Sequence, residues 1–197
     1  PNLDALAGRG VRFSHCYAAS AECTPSRGGL WTGLHLHQNG LLGLANFGWE
    51  LQVPHLAQRL RAGGYRTHLF GLQHEAHGDP ASLGYEFTHS LDDRAADAVC
   101  QARIDALTGP AGPPQEPWFA CAGFFDVHRP WRAPPTFDPA KVEVPPYLPD
   151  NPTVRNDLAL FHQSVQDMDA AVGRVLDALA AHGPAGDTLV LFTTDHG

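Results

Sequence analysis

Three apolar runs in this chain end in the same way, and that repetition limits the folds open to it. Residues 65–71 (YRTHLFG) lead into Gln73-His74-Glu75, residues 118–125 (WFACAGFF) into Asp126-Val127-His128-Arg129, and residues 187–194 (DTLVLFTT) into Asp195-His196-Gly197. Short runs of this kind, apolar and rich in β-branched or aromatic residues, read as strands buried between two layers. Helical patterns separate them. Residues 53–62 end at Gly63-Gly64, and residues 154–182 place Leu158, Phe161, Val165, Met168, Val172, Val175 and Leu179 at three- and four-residue steps before Gly183-Pro184. Alternation of this kind predicts an α/β sandwich around a mostly parallel sheet. Ligands of such sheets collect at the carboxyl ends of the strands, so the three polar tips are expected to converge on one edge.

The remaining segments are read more simply. Residues 1–10 form a short helix and residues 11–17 a strand. Residues 108–117 (TGPAGPPQEP) are a breaker-rich loop, and residues 129–153 a proline-rich irregular excursion. With 197 residues and 43% apolar content, the chain can bury the core of one sizeable domain. Its 13 basic and 21 acidic side chains, net −8, argue against a nucleic-acid partner. No apolar run is long enough to cross a membrane, and Pro1-Asn2-Leu3-Asp4 carries no secretion signal. Cys16, Cys23, Cys100 and Cys121 lack the paired short spacings of a zinc knuckle or disulfide scaffold. The one Asn-x-Thr sequence, Asn151-Pro152-Thr153, is disqualified by its proline. The compartment stays open between periplasmic or secreted and cytoplasmic. Because the chain starts without Met and stops at a strand tip, it reads as a fragment.

Cys23 opens Cys23-Thr24-Pro25-Ser26-Arg27. Pro25 suits the first turn of a helix, which puts Cys23 at or just before the N-cap, where unpaired N–H groups and the helix dipole favour an anion. Arg27, four residues on, stacks one turn above it and adds positive charge, so the cysteine is expected to be activated; Leu30 and Trp31 are expected to point inward. A tyrosine-phosphatase loop is excluded, since it needs five residues between Cys and Arg and only three stand here. Asp195-His196 offers a carboxylate and an imidazole for a divalent metal. His74 and His128, at the other two tips, are placed to bind or protonate an anionic ester. His35 and His37 read as structural, and Asp92-Asp93 as acidic residues opening a helix.

These residues identify a family resemblance. Cys23-Thr24-Pro25-Ser26-Arg27 with Leu30-Trp31-Thr32-Gly33 resembles the C-x-P-S-R-x-x-x-L-T-G signature of type I sulfatases, with Trp31 at the usual Leu position. PNLDALAGRGVRFSHCY resembles the segment preceding that signature, and DTLVLFTTDHG the strand bearing the second pair of metal ligands, so the likeness covers essentially the whole chain. Within the family, His37-Gln38-Asn39-Gly40, FFDVHRPW and the stretch VPPYLPDNPTVRNDLALFHQSVQDMDAAVGRVLDAL are most similar to the sulfamidase (heparan N-sulfatase) branch, which removes N-linked sulfate from glucosamine.

The resemblance implies an alkaline-phosphatase-like sandwich, a mostly parallel central sheet flanked by helices and truncated at both ends. Residues 1–197 would be a partial N-terminal catalytic domain, without its first strand and C-terminal subdomain. Such a fragment alone is expected to be poorly active and of low stability. The resemblance implies that a maturation enzyme oxidises Cys23 to Cα-formylglycine, whose hydrated diol attacks sulfur and then expels sulfate. Residue 23, Asp195 and His196 would bind Ca²⁺ or another divalent metal, Arg27 would hold the formylglycine, and His74 and His128 would contact the sulfate or leaving group. The His196 position is Asn in many relatives, and a lysine usual in the family's Gly-Lys-x-His pattern is replaced by Leu72. The expected partners are a sulfated small molecule or glycan and the formylglycine-generating enzyme, with no nucleic acid and no membrane; a homodimer is compatible. The rival readings are a phosphonate monoester or phosphodiester hydrolase of the same superfamily and a catalytically inactive binding module.

Overall fold

The computed structural model describes residues 1–89, 96–109, 112, 117–131, 134–183 and 185–196. Six α-helices and three strands follow in the order α1 (Asn2–Gly8), α2 (Cys23–Thr32), α3 (Leu36–Asn39), α4 (Leu56–Ala62), β1 (Arg66–Gly71), β2 (Phe87–His89), α5 (Ala96–Thr108), β3 (Trp118–Gly123) and α6 (Pro152–His182) among the described residues. The strands form one sheet of order β2-β1-β3. Both pairings are parallel: His68 lies opposite Phe87, and Arg66 to Gly71 run opposite Trp118 to Gly123. The parallel α/β architecture expected from the alternation of runs is therefore present.

Alternation along β1 sends successive side chains to opposite faces of the sheet. Leu69 meets Ala57 of α4, Leu83, Tyr85 and Cys121 in a buried cluster against which Trp31 and Phe119 pack. On the other face, His68 stacks on Phe87 at 4.6 Å and Phe70 on His89 at 4.5 Å between ring centroids. Arg103 of α5 lies over Phe70 and Trp118, at 5.4 and 4.7 Å. Cys100 of α5 meets Ala171 of α6, with Ile104, Phe124 and Val175 around them. Gly71 closes β1 with φ +74°, and a Cβ there would come within 2.5 Å of the Gly123 carbonyl and a Val99 methyl. The chain can turn off the strand toward His74 only because this residue is glycine.

The long helix α6 starts at Asn151, whose side chain accepts from the Val154 N–H at 3.0 Å, with Pro152 at the first helical position. It also carries the dock for α1. Asp169 accepts from the backbone N–H of Asn2 and Leu3 at 3.0 and 2.9 Å and from the Asn2 amide at 2.9 Å. A Cβ on Gly173 would lie 2.4 Å from Asn2 Cγ, so that position must stay small for the dock to close. Burial alone would raise the Asp169 carboxyl, but the Leu3 and Asn2 donors hold it below the ordinary carboxylate range.

Two expected strands are not formed. Residues 11–17 and 188–194 carry no ladder, and Val11, Phe13, Tyr17, Leu189 and Leu191 are each at least 76% exposed. A strand exists only where a neighbouring strand takes its N–H and C=O groups, and among the described residues no strand forms a ladder with either segment. Boundaries shift as well. The helix expected over 53–62 starts at Leu56, and the run at 118–125 pairs only to Gly123. Asp92, Asp93 and Gly197, and part of the 108–117 loop, lie outside the described residues. No described helix is long and apolar enough to cross a membrane.

Candidate functional site

Helix α2 begins at Cys23, two residues earlier than Pro25, after an extended Glu22 whose side chain makes no capping bond. Pro25 is still in the first turn, where a missing N–H costs nothing. Side chains of that turn join the helix to two other segments. Thr24 Oγ1 donates to the His74 carbonyl at 2.5 Å, and the Ser26 hydroxyl donates to the Asp195 carbonyl. Gly28 lets the helix sit close to its support, since a Cβ there would lie 2.8 Å from Leu41 Cδ1. The helix start thus lies against the tip of β1 on one side and residues 195–196 on the other.

Cys23 Sγ lies 3.3 Å from His196 Nε2, and the His196 N–H donates to Asp195 Oδ1 at 3.1 Å. One ligand atom each from Cys23, Asp195 and His196 falls within 4.8 Å of the others, a spacing suited to a divalent ion. Calcium takes about six to eight oxygen ligands, so a thiol, a carboxylate and an imidazole supply part of such a shell. Of the metal-binding expectations, these three residues are brought together.

Arg27 is nearly buried. Its Nε donates to Glu75 Oε1 at 2.6 Å, and its Nη1 lies 3.7 Å from Asp195 Oδ2. Burial opposes the guanidinium charge, but Glu75 and Asp195 hold its pKa above the usual arginine value. Glu75 also accepts from Trp31 Nε1 at 2.7 Å and from the His74 N–H at 3.0 Å. His74 is pushed below the ordinary histidine value by burial first and then by Arg27, with His128 adding to the effect. It is neutral at neutral pH.

The Cys23 thiol is shifted in the direction opposite to that expected. Burial and then the Asp195 carboxylate raise its pKa, outweighing Arg27. The helix start therefore holds a protonated thiol rather than an activated thiolate. Leu30 is also corrected, being 44% exposed, whereas Trp31 does pack inward.

His128 follows β3. Its Nδ1–H donates to the Arg129 carbonyl at 2.5 Å, which leaves Nε2 available, and its ring lies 4.6 Å from Phe125. Arg129 grips Asp157 of α6 through both terminal nitrogens and covers Trp131 at 4.0 Å. His35 stacks on His37 at 5.9 Å at the start of α3, and both rings are exposed. The residue missed from sequence is Glu75. The available signal was a carboxylate following a histidine at the end of a buried strand.

A family model described as Sulfatase matches residues 1–197. The chain is 32% identical to human N-sulphoglucosamine sulphohydrolase over 230 residues, covering 100% of this chain and 45% of that protein. It is 27% identical to human arylsulfatase A over 239 residues, covering 100% of this chain and 47% of that protein. The chain thus spans just under half the length of these relatives. The crystal structure of a phosphonate monoester hydrolase of Agrobacterium radiobacter superposes with a TM-score of 0.77 at 20% identity, over 99% of this chain and 57% of that one. That likeness shows the fold, an alkaline-phosphatase-like α/β arrangement.

Proposed function

The chain belongs to the sulfatase family, and from that membership we propose that it forms the nucleophile and anion site of a sulfohydrolase acting on a sulfated sugar, in the manner of a sulfamidase. The observation that carries the reading is the meeting of Cys23, Arg27, Asp195 and His196 around the start of α2. One relative, human N-sulphoglucosamine sulphohydrolase, acts on N-sulphoglucosamine by name, which favours an N-sulfated substrate.

In this reading Cys23 is a precursor. Its thiol is held protonated, and conversion to Cα-formylglycine by a maturation enzyme would give residue 23 a hydrated aldehyde whose hydroxyl is the nucleophile. Residue 23, Asp195 and His196 would hold a divalent cation, calcium by preference once oxygens replace the sulfur. When bound, the cation offsets charge on the sulfate oxygens. Arg27, in the first turn of the same helix and with Nη1 3.7 Å from Asp195 Oδ2, would orient the nucleophile and the anion. Neutral His74 offers a hydrogen bond without adding charge. His128, its Nδ1–H held by the Arg129 carbonyl, would contact the sulfate or the departing nitrogen or oxygen through Nε2.

The test uses full-length protein made in a host with the maturation enzyme. Peptide masses around residue 23 are expected to show loss of the thiol, with turnover of an N-sulfated glucosamine or an aryl sulfate. A large preference for an aryl phosphodiester overturns the substrate class. An intact thiol with no turnover of any of the three overturns the enzyme reading in favour of a binding module.

A further inference from the structure

Glu75 is 2% exposed, and the chemistry above gives it no part. A buried carboxylate is costly unless its oxygens are satisfied, and here three N–H donors share them. Oε1 takes Arg27 Nε at 2.6 Å and Trp31 Nε1 at 2.7 Å, and Oε2 takes the His74 N–H at 3.0 Å. The segment bearing Glu75 is itself braced. Gln73 Oε1 accepts from the N–H groups of Glu75 and Ala76 at 2.9 and 3.0 Å, and Thr24 holds the His74 carbonyl. Trp31 stands where the family signature has Leu, which has no proton to give. Trp31 and Glu75 are therefore matched to each other.

The arrangement decides how Arg27 faces the site. A guanidinium is a rigid planar fork, so engaging Nε fixes the direction of both Nη groups. Asp195 lies 3.7 Å from Nη1 and is the competing acceptor. With Glu75 removed, the same arginine would swing onto Asp195 and tie up a carboxylate placed among the ligand atoms. We infer that Glu75, braced by Trp31, is a positioning residue that holds Arg27 by Nε and so keeps its Nη groups directed at an anionic sulfuryl group on residue 23. The identity of that anion rests on the sulfatase reading; the grip on Arg27 does not.

The experiment uses the full-length protein with ¹⁵N-labelled arginine, and the variants Glu75→Gln, Glu75→Asp, Trp31→Phe, Arg27→Lys and the Glu75→Gln/Arg27→Lys double. Glutamine supplies one acceptor oxygen where the three donors use two, so Glu75→Gln is expected to lower kcat on an aryl sulfate about tenfold or more while KM moves much less. Glu75→Asp, keeping the charge, is expected to restore part of that loss, and Trp31→Phe to show a smaller loss of the same kind. Because Glu75 acts through Arg27, the double variant is expected to be no worse than Arg27→Lys alone. The Arg27 Nε–H is expected to exchange slowly in the wild type and faster in Glu75→Gln. Additive losses in the double variant, or a rapidly exchanging Nε–H in the wild type, overturn the inference. If the wild type turns over no sulfated probe, the sulfatase reading falls, while the exchange measurement still decides the role of Glu75.

Discussion

Cys23 has few ties to the fold: its sulfur reaches His196 at 3.3 Å, and its neighbours Thr24 and Ser26 make the bonds that fasten the helix start. Cys23→Ala is therefore expected to abolish turnover by the full-length protein while leaving the melting temperature almost unmoved, as read by kinetics and calorimetry side by side. Thr24→Val has the opposite balance. Losing its bond to the His74 carbonyl is expected to cost about 1 kcal/mol in denaturant unfolding and to loosen the tip that carries His74. Cys23, Arg27, Asp195 and His196 were legible as candidates because of their residue types and spacing, and the structure brings them together at the start of α2. The protonation of Cys23 was not legible, since it comes first from burial in the fold and next from the Asp195 carboxylate, which arrives from 172 positions away. Glu75 was hidden for a related reason: its partners Arg27 and Trp31 lie 48 and 44 positions back, and no local pattern announces them.

Helix α4 shows how an element can carry a pH dependence. His55 caps it by accepting from the Ala57 N–H at 3.0 Å through Nδ1, which requires an unprotonated ring. Burial, with Arg27 adding to it, pushes His55 down to about 4. Burial, with His89 next, does the same for His68, also to about 4. Both rings are neutral in the fold and gain protons more readily on unfolding. Their contribution is full above about pH 6.5 and is lost as pH falls toward 4. Denaturant unfolding between those values is expected to show stability falling with acid. The slope is expected to flatten in His55→Asn, which retains a capping oxygen but no titrating ring. At the other end of the chain, Asn151→Ala removes the cap of α6 at an expected cost of about 1 kcal/mol. Helices such as α6 were legible because a helix satisfies most of its own backbone, and β1 and β3 because their neighbours are present. Residues 11–17 and 188–194 were misread because an alternating or apolar pattern records what a segment is suited to, whereas a ladder needs a partner.

Across the whole molecule, the parallel α/β class followed from the order of runs, while the dock of α1 on α6 did not, because it rests on one carboxylate and one missing Cβ. Asp169→Asn is expected to lower stability at neutral pH by about 1–3 kcal/mol. The Asp169 carboxyl is held low in the fold, so its stabilising effect is present above the ordinary carboxylate value of about 4 and vanishes as pH drops through the lower folded one. The gap between wild type and variant should close in strong acid. The same dock has a consequence in time. Asn2 and Asp169 are separated by 167 positions. At about 5–20 residues per second, the first helix emerges from the ribosome on the order of ten to thirty seconds before its seat is made. Through that interval it waits beside Val11, Phe13 and Tyr17, apolar side chains that stay open to solvent even in the fold.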